Sequence, residues 1–365
     1  MPEGIITDPL AGIEDKVARG ERLAFADGVA LFRAPDILRV ARLADCVRQQ
    51  KVGDEAYFVV NRHINYTNIC RNRCRFCAFS RSEGEPGAYT LSLGEVLDKA
   101  EEAVSQGATE IHIVGGENPA LPYAQVREMV SAIRGLAPGV HIKAFTASEI
   151  ACFAEMEGVS AREILADLKN LGLDSMPGGG AEIFRAEVRQ QVCPAKISGE
   201  KWLEIHRTAH QLGIRTNATM LYGHVESFAD RVDHLLRLRE LQDETGGFQA
   251  FVPISFQPKR SALAHLPGPS GLDDLRTIAV ARLLLDNFAH IKAYWVMIGL
   301  KLAQVALFFG ADDLDGTVVE EIISLLSGAE HGQAVSKEEL VRLIQDAGRI
   351  PVERDACYQV VRRYL

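Results

Sequence analysis

Apolar, β-branched runs alternate with amphipathic stretches along most of the chain. The runs fall at residues 57–66, 110–115, 140–147, 173–176, 215–221, 248–255, 291–297 and 305–309. Between them, residues 92–106, 123–136, 160–171, 198–212, 228–244 and 270–288 carry apolar positions at helical spacing. Ser92 with Glu95, Ser160 with Glu163 and Ser227 with Asp230 mark helix starts. Gly107, Gly139, Gly172 and Gly213 stand where helices would end before the next strand. Strand–helix alternation with nearly continuous apolar strands predicts an α/β fold built on a parallel sheet. Eight runs predict a TIM-type (β/α)8-like barrel with N-terminal and C-terminal helical extensions.

The expected division is a helical extension at 1–55, the barrel at 56–315 and a helical segment packed on it at 316–365. In the first part, 23–32 and 34–49 read as helices, with Pro35 or Asp36 near a start. In the last, 336–365 reads as two helices, the second opened by Pro351. There is no internal repeat and no low-complexity linker. Residues that act on a ligand are expected at the C-terminal ends of the strands.

Composition narrows the function classes. The 365 residues are 47% hydrophobic and 24% charged, ample for a large core. A net charge of −9 without a dense basic stripe argues against a nucleic-acid partner. Residues 1–10 lack a basic segment followed by an apolar core, so no signal peptide is expected. The longest apolar runs, such as 28–32 and 304–309, are too short to span a bilayer. A cytoplasmic protein without a membrane partner is expected. Seven cysteines, only three of them clustered, favour metal binding over a disulfide framework.

That cluster is Cys70-Arg71-Asn72-Arg73-Cys74-Arg75-Phe76-Cys77, a C-x3-C-x2-C spacing directly after the first strand. Three thiolates on one tight loop suit three irons of a 4Fe–4S cubane, leaving the fourth iron open to a small molecule. Arg71, Arg73, Arg75 and Arg81 are expected to compensate the negative charge and lower the thiol pKa values. Phe76 is expected to shield the cluster from water. Zinc is the competing metal, but it would need a fourth ligand, and His63 lies upstream on the strand. Gly115-Gly116-Glu117 ends the second strand. Bare backbone there allows close approach, and the carboxylate can hold an ammonium; a plain tight turn is the alternative.

The cysteine loop after the first strand resembles the radical S-adenosylmethionine superfamily. Further stretches resemble its aminofutalosine synthase family, of the futalosine route to menaquinone. They are residues 64–70, His141-Ile142-Lys143-Ala144-Phe145-Thr146-Ala147, residues 174–182, residues 219–224, Ala293-Tyr294-Trp295-Val296-Met297 and residues 312–317. The resemblance covers roughly residues 55–355. It implies a 4Fe–4S cluster on Cys70, Cys74 and Cys77, and S-adenosyl-L-methionine as a consumed co-substrate. It also implies addition of the 5′-deoxyadenosyl radical to the alkene of 3-[(1-carboxyvinyl)oxy]benzoate. Rearrangement and loss of a carboxylate would give 6-amino-6-deoxyfutalosine, methionine and bicarbonate. The electron would come from a donor such as flavodoxin or ferredoxin. The sibling dehypoxanthine futalosine cyclase shares the glycine triplet and the Gly223-His224 segment; a non-catalytic metal module is the remote alternative.

Gly115, Gly116 and Glu117 are then expected at the methionine amino group, with Gly179 against the nucleoside and Glu182 on the ribose. Lys196 falls where related barrels put a cation for the methionine carboxylate; a surface lysine is the plain alternative. His224, Glu149 and Tyr222 are the catalytic candidates, weighed against a structural histidine and a surface helix cap. Asn217 and Thr219 are expected to offer polar groups to the substrate at the mouth of the fifth strand, and residues 249–257 and Trp295 to contribute wall, although a barrel-strand aromatic is commonly core. His206 and His210 imitate a metal pair, yet barrel helices face away from the pocket, so both read as packing or surface. Cys46, Cys152, Cys193 and Cys357 read as packing residues.

Overall fold

The structure is a computed structural model that describes residue 8 and residues 10–328 and 334–365. The absence of a leader expected at 1–10 therefore falls almost wholly outside the described residues. Helices α1 (Ala11–Ala18), α2 (Phe25–Arg33) and α3 (Ile37–Val52) come first. Asp36 caps α3, its carboxylate accepting from the Leu38 and Arg39 amides at 3.1 Å each.

The first apolar run breaks at Val60 into β1 (Glu55–Val59) and β2 (Asn61–Ile64), which enter different sheets. The chain continues through α4 (Leu93–Ser105), β3 (Glu110–Ile113), α5 (Tyr123–Leu136), β4 (His141–Ala144), α6 (Ala147–Glu157) and α7 (Ala161–Leu171). Next come β5 (Ser175–Met176), α8 (Ala186–Val192), α9 (Gly199–Gln211), β6 (Arg215–Tyr222) and α10 (Phe228–Thr245). After them lie β7 (Phe248–Ser255), α11 (Gly271–Leu284) and β8 (His290–Ile291). Strands β2 to β8 form one seven-stranded parallel sheet in chain order, the α/β arrangement that the alternation predicts. Capping boxes at Ser92, Ser160 and Ser227 start α4, α7 and α10 as expected.

Two apolar runs near the end take other forms. Residues 291–297 leave the sheet after Ile291 and wind into α12 (Trp295–Ile298), and the 305–309 run falls at the end of α13 (Leu300–Ala306). Short apolar runs do not distinguish a strand from a buried helix. The next stave is instead β9 (Asp313–Gly316), a polar stretch. Bridges Lys292 to Asp313 and Arg62 to Val319 tie residues 313–319 to both edges of the seven-stranded sheet, drawing it toward a ring.

The C-terminal region holds α14 (Ile322–Ser327), α15 (Lys337–Asp346), β10 (Ile350–Arg354) and β11 (Val360–Arg363). The helix expected from Pro351 is thus a strand pair, and β10 runs parallel to β1 with Pro351 opposite Ala56. Proline is tolerated near a strand start, and β1 offered an edge that needed a partner. The second sheet reads β11-β10-β1-β9. Among the described residues no helix is long and apolar enough to cross a membrane.

Candidate active site

The cysteine loop leaves the C-terminal end of β2 and is fixed by backbone bonds at several points. Cys70 N donates to Arg81 O (3.0 Å), Cys77 N to Cys74 O (3.0 Å) and Arg75 N to Val192 O (2.8 Å). Cys74 is buried, whereas Cys70 and Cys77 are half-buried. Gly116 lies against the inner side of the loop: a Cβ there would collide with the Ile69 carbonyl and come within 2.9 Å of Cys70 Cβ. Bare backbone under three thiols of one loop is a donor set and a cradle that fit a thiolate-held iron–sulfur cluster. Among the described residues no three His, Cys, Asp or Glu side chains are gathered at the spacing a single metal ion needs.

The cations beside the loop differ from expectation. Arg71 binds Glu155 (2.6 Å) and Glu117 (3.2 Å), Arg73 binds Glu85 (2.6 Å), and Arg75 and Arg81 donate to backbone carbonyls. Burial pushes the Cys74 thiol up, and the charge that opposes this is Lys196. Lys196 Nζ bonds Glu182 Oε1 at 2.7 Å and stands 5.8 Å from the centre of the Phe76 ring. Burial alone would raise the Glu182 carboxyl, but Lys196 holds it below its ordinary value. Glu182 adopts φ +47°, a strained setting for a side-chain-bearing residue that aims it at the site.

A cavity of about 250 Å³ begins at Cys77 and Phe76 and runs into the barrel. Gly178, Gly179 and Glu182 form one side, and Asn217, Thr219 and Gln257 add polar groups. Leu221, Val252, Ile254, Phe256 and Met297 give it apolar walls. Gly178 and Gly179 are close-packed: a Cβ would lie 2.7 Å from Asn217 O at the first and 2.8 Å from Thr146 Cγ2 at the second. The floor is charged. Lys143 pairs with Glu110, Lys292 pairs with Asp315, and His63 and His112 lie beside them. Burial pushes Lys143 down, while Lys143 holds Glu110 well below its usual range against burial's upward push.

The sequence comparisons bear on this geometry. The profile described as "Radical SAM superfamily" matches residues 64–238, and "CofH/MqnC C-terminal region" matches 245–364. The aminodeoxyfutalosine synthase of Thermus thermophilus is 51% identical over 362 residues, 98% of this chain and 97% of that one. The chain belongs to the radical SAM superfamily. As a radical SAM enzyme it uses a 4Fe–4S cluster and S-adenosylmethionine. A second relative, the 5-amino-6-(D-ribitylamino)uracil–L-tyrosine 4-hydroxyphenyl transferase of Methanopyrus kandleri, is 44% identical over 334 residues, 90% of each chain. Among solved structures, methylornithine synthase superposes with a TM-score of 0.74 at 18% identity, covering 93% of this chain and 97% of that one. That likeness speaks to the fold.

Several residues singled out in this radical SAM chain lie behind the cavity wall. Tyr222 is fully buried, with its hydroxyl on Asp274 Oδ1 (2.7 Å). The His224 ring is buried, with Nε2 3.1 Å from Leu221 O and Nδ1 3.0 Å from Glu226 Oε2. Glu149 accepts from Tyr66 Oη (2.8 Å), Gly115 N (3.0 Å) and both Thr146 N and Oγ1 (2.8 Å each). It is a helix cap, as the plain alternative held, but a buried one. Glu117 is tied to Arg71, Asn72 and Ser148, on the inner side of the cysteine loop. Trp295 is core, its Nε1 donating to Gly316 O (2.9 Å). His206 and His210 both bond Thr216 Oγ1, at 2.9 and 2.8 Å, and pack outside the strands. Cys193 is buried in the same apolar cluster as Cys74, and Cys152 is buried too, but Cys46 and Cys357 are exposed and do not take the packing role expected of them.

The floor residues are the ones sequence reading missed. Their signal was present: Glu110, His112, Lys143 and Lys292 interrupt runs otherwise apolar. A charge inside a doubly buried strand must be paired or functional.

Proposed function

We propose that the protein is an aminofutalosine synthase. It joins the adenosyl C5′ of S-adenosylmethionine to 3-[(1-carboxyvinyl)oxy]benzoate and yields 6-amino-6-deoxyfutalosine, methionine and bicarbonate. The observation that carries this reading is the cavity that starts at the cysteine loop, passes apolar walls and ends on a charged floor. It suits a flat, apolar ligand with an acid at its far end. The full-length likeness to the Thermus thermophilus synthase supports the same reading.

Cys70, Cys74 and Cys77 would hold the cluster, which when bound supplies the electron that cleaves the sulfonium. Gly115 and Gly116 give the backbone room that the methionine portion needs, and Glu117, to take its ammonium, would exchange its bonds to Arg71, Asn72 and Ser148 for that group. Gly179 offers bare backbone to the nucleoside, with Glu182 as acceptor and Lys196 as its buried counter-charge. Phe76 and the apolar wall keep water from the reacting atoms. Glu149, Tyr222 and His224 act through the wall as positioning residues, since their polar atoms are already engaged.

The test is anaerobic turnover of cluster-loaded protein with both substrates, followed by mass analysis. Adenine covalently joined to the aryl product is expected. Free 5′-deoxyadenosine formed from dehypoxanthine futalosine, with no adduct from the enolpyruvyl benzoate, would assign the sibling cyclase instead.

A further inference from the structure

The deepest part of the cavity holds an arrangement that the cluster and nucleoside do not use. His63 on β2 and His112 on β3 are register partners, and their rings stack with centroids 4.4 Å apart at 30°. On one side lies the Lys143–Glu110 pair, on the other Lys292–Asp315, all lining the cavity. Each lysine already has a carboxylate, so its charge is largely spent. His63 differs. It is 6% exposed, lines the cavity, and neither of its ring nitrogens has a hydrogen-bond partner among the described residues. A buried nitrogen left unpaired costs free energy that a ligand atom would recover.

The occupant follows from direction. The alkene must meet C5′ near Cys77, so the ring carboxylate, borne at the far side of the aryl ether, points to the floor. An acid arriving there meets Glu110, Asp315 and the nearby Glu321, and needs a donor that carries no acid of its own. Burial pushes both imidazoles below their ordinary pKa, so a neutral N–H is what His63 presents. The two lysines lessen the opposition that Glu110, Asp315 and Glu321 would otherwise present to a further anion.

We propose that His63 is the positioning residue for the ring carboxylate, its ring N–H donating to that acid while His112 holds the imidazole plane. This rests on the synthase reading for the identity of the aryl acid.

The test compares wild type, His63→Phe and His63→Gln on the full substrate and on [(1-carboxyvinyl)oxy]benzene, which lacks the ring acid. Phe keeps a flat ring against His112 and removes the donor; Gln keeps a donor. Wild type should prefer the full substrate by roughly ten- to a hundredfold in kcat/KM. His63→Phe should lose most of that preference, chiefly through KM, with iron content and melting temperature unchanged, and Gln should restore part of it. A His63→Phe enzyme that keeps the wild-type preference overturns the proposal, as does an equal loss on both substrates. Calorimetry with 3-methoxybenzoate against anisole reads the same contact without turnover. Acid-dependent binding that needs His63, with no adduct formed, would sink the reaction assignment and leave this site standing. Adduct formation or aryl-acid binding indifferent to His63 would do the reverse.

Discussion

Glu149 shows how one buried carboxyl ties the site's supports together. It caps α6, fixes the Tyr66 hydroxyl and receives the Gly115 amide, so it couples β2, the glycine turn and α6. Burial pushes its carboxyl up to about 7 against those hydrogen bonds. A carboxyl raised in the fold above its unfolded value binds its proton more tightly when folded. Its contribution is therefore fully present below about pH 4.5 and is lost as pH rises through about 7. The difference across that window is on the order of 3 kcal/mol. Glu149→Gln cannot titrate, so the variant's stability should fall less than wild type's between those pH values, whatever its absolute level. Melting curves of both proteins across the range check this; parallel pH profiles would refute it.

Among the elements, β10 decides how the chain's end is held. Arg354, fully buried, donates from Nε to Asp313 Oδ2 of β9 at 2.7 Å, and the Tyr358 hydroxyl reaches the same oxygen at 2.7 Å. Removing one member of a buried ion pair leaves the other charge uncompensated, at a cost of about 3–5 kcal/mol. Arg354→Met should lower the denaturant midpoint accordingly, and Asp313→Asn added to it should recover part of the loss. A midpoint unchanged by Arg354→Met would mean that the pair does not anchor β10. The same pair explains where sequence reading fell short. The stave Asp313–Gly316 is polar because it carries acids for Arg354 and Lys292, so it did not look like a strand, while the apolar 305–309 run did and lies at the end of a helix. Helices α4, α7 and α10 were readable because Ser92, Ser160 and Ser227 cap them from a polar, exposed face. Helix α6 carries the same signal in Thr146 and Glu149, but it follows β4 with only Phe145 and Thr146 between, so the apolar run 140–147 masked its start. Of the site, the local part was readable in the Cys70–Cys77 spacing. The floor was not, because His63, Lys143 and Lys292 come together only when distant strands close around one space.

Taken as a body, the protein is acidic, with net charge −9, yet the outer face of its cysteine loop is not. A second cavity of about 430 Å³ is lined by Cys74 and Cys77 together with Arg73, Arg75, Arg81, Arg260 and Glu85. Glu85 answers Arg73, but among the described residues Arg75 donates to the Gln191 carbonyl and neither it nor Arg260 makes an ion pair. An electron for the cluster has to enter from outside, and this basin, lined by two of the three thiols, offers an entry. A positive rim on a negative protein favours an acidic one-electron carrier, and orients it by long-range attraction. Such steering is screened by salt, with a Debye length near 10 Å at 0.1 M. Reduction by an acidic carrier should therefore slow as ionic strength rises. Arg260→Glu should cut the second-order rate by roughly tenfold at low salt and much less at high salt. Stopped-flow reduction of the cluster reads both effects. Dithionite, small and needing no docking, supplies the control: a rate lost equally with dithionite would place the defect in the cluster, and a carrier rate indifferent to salt would move the electron's entry elsewhere.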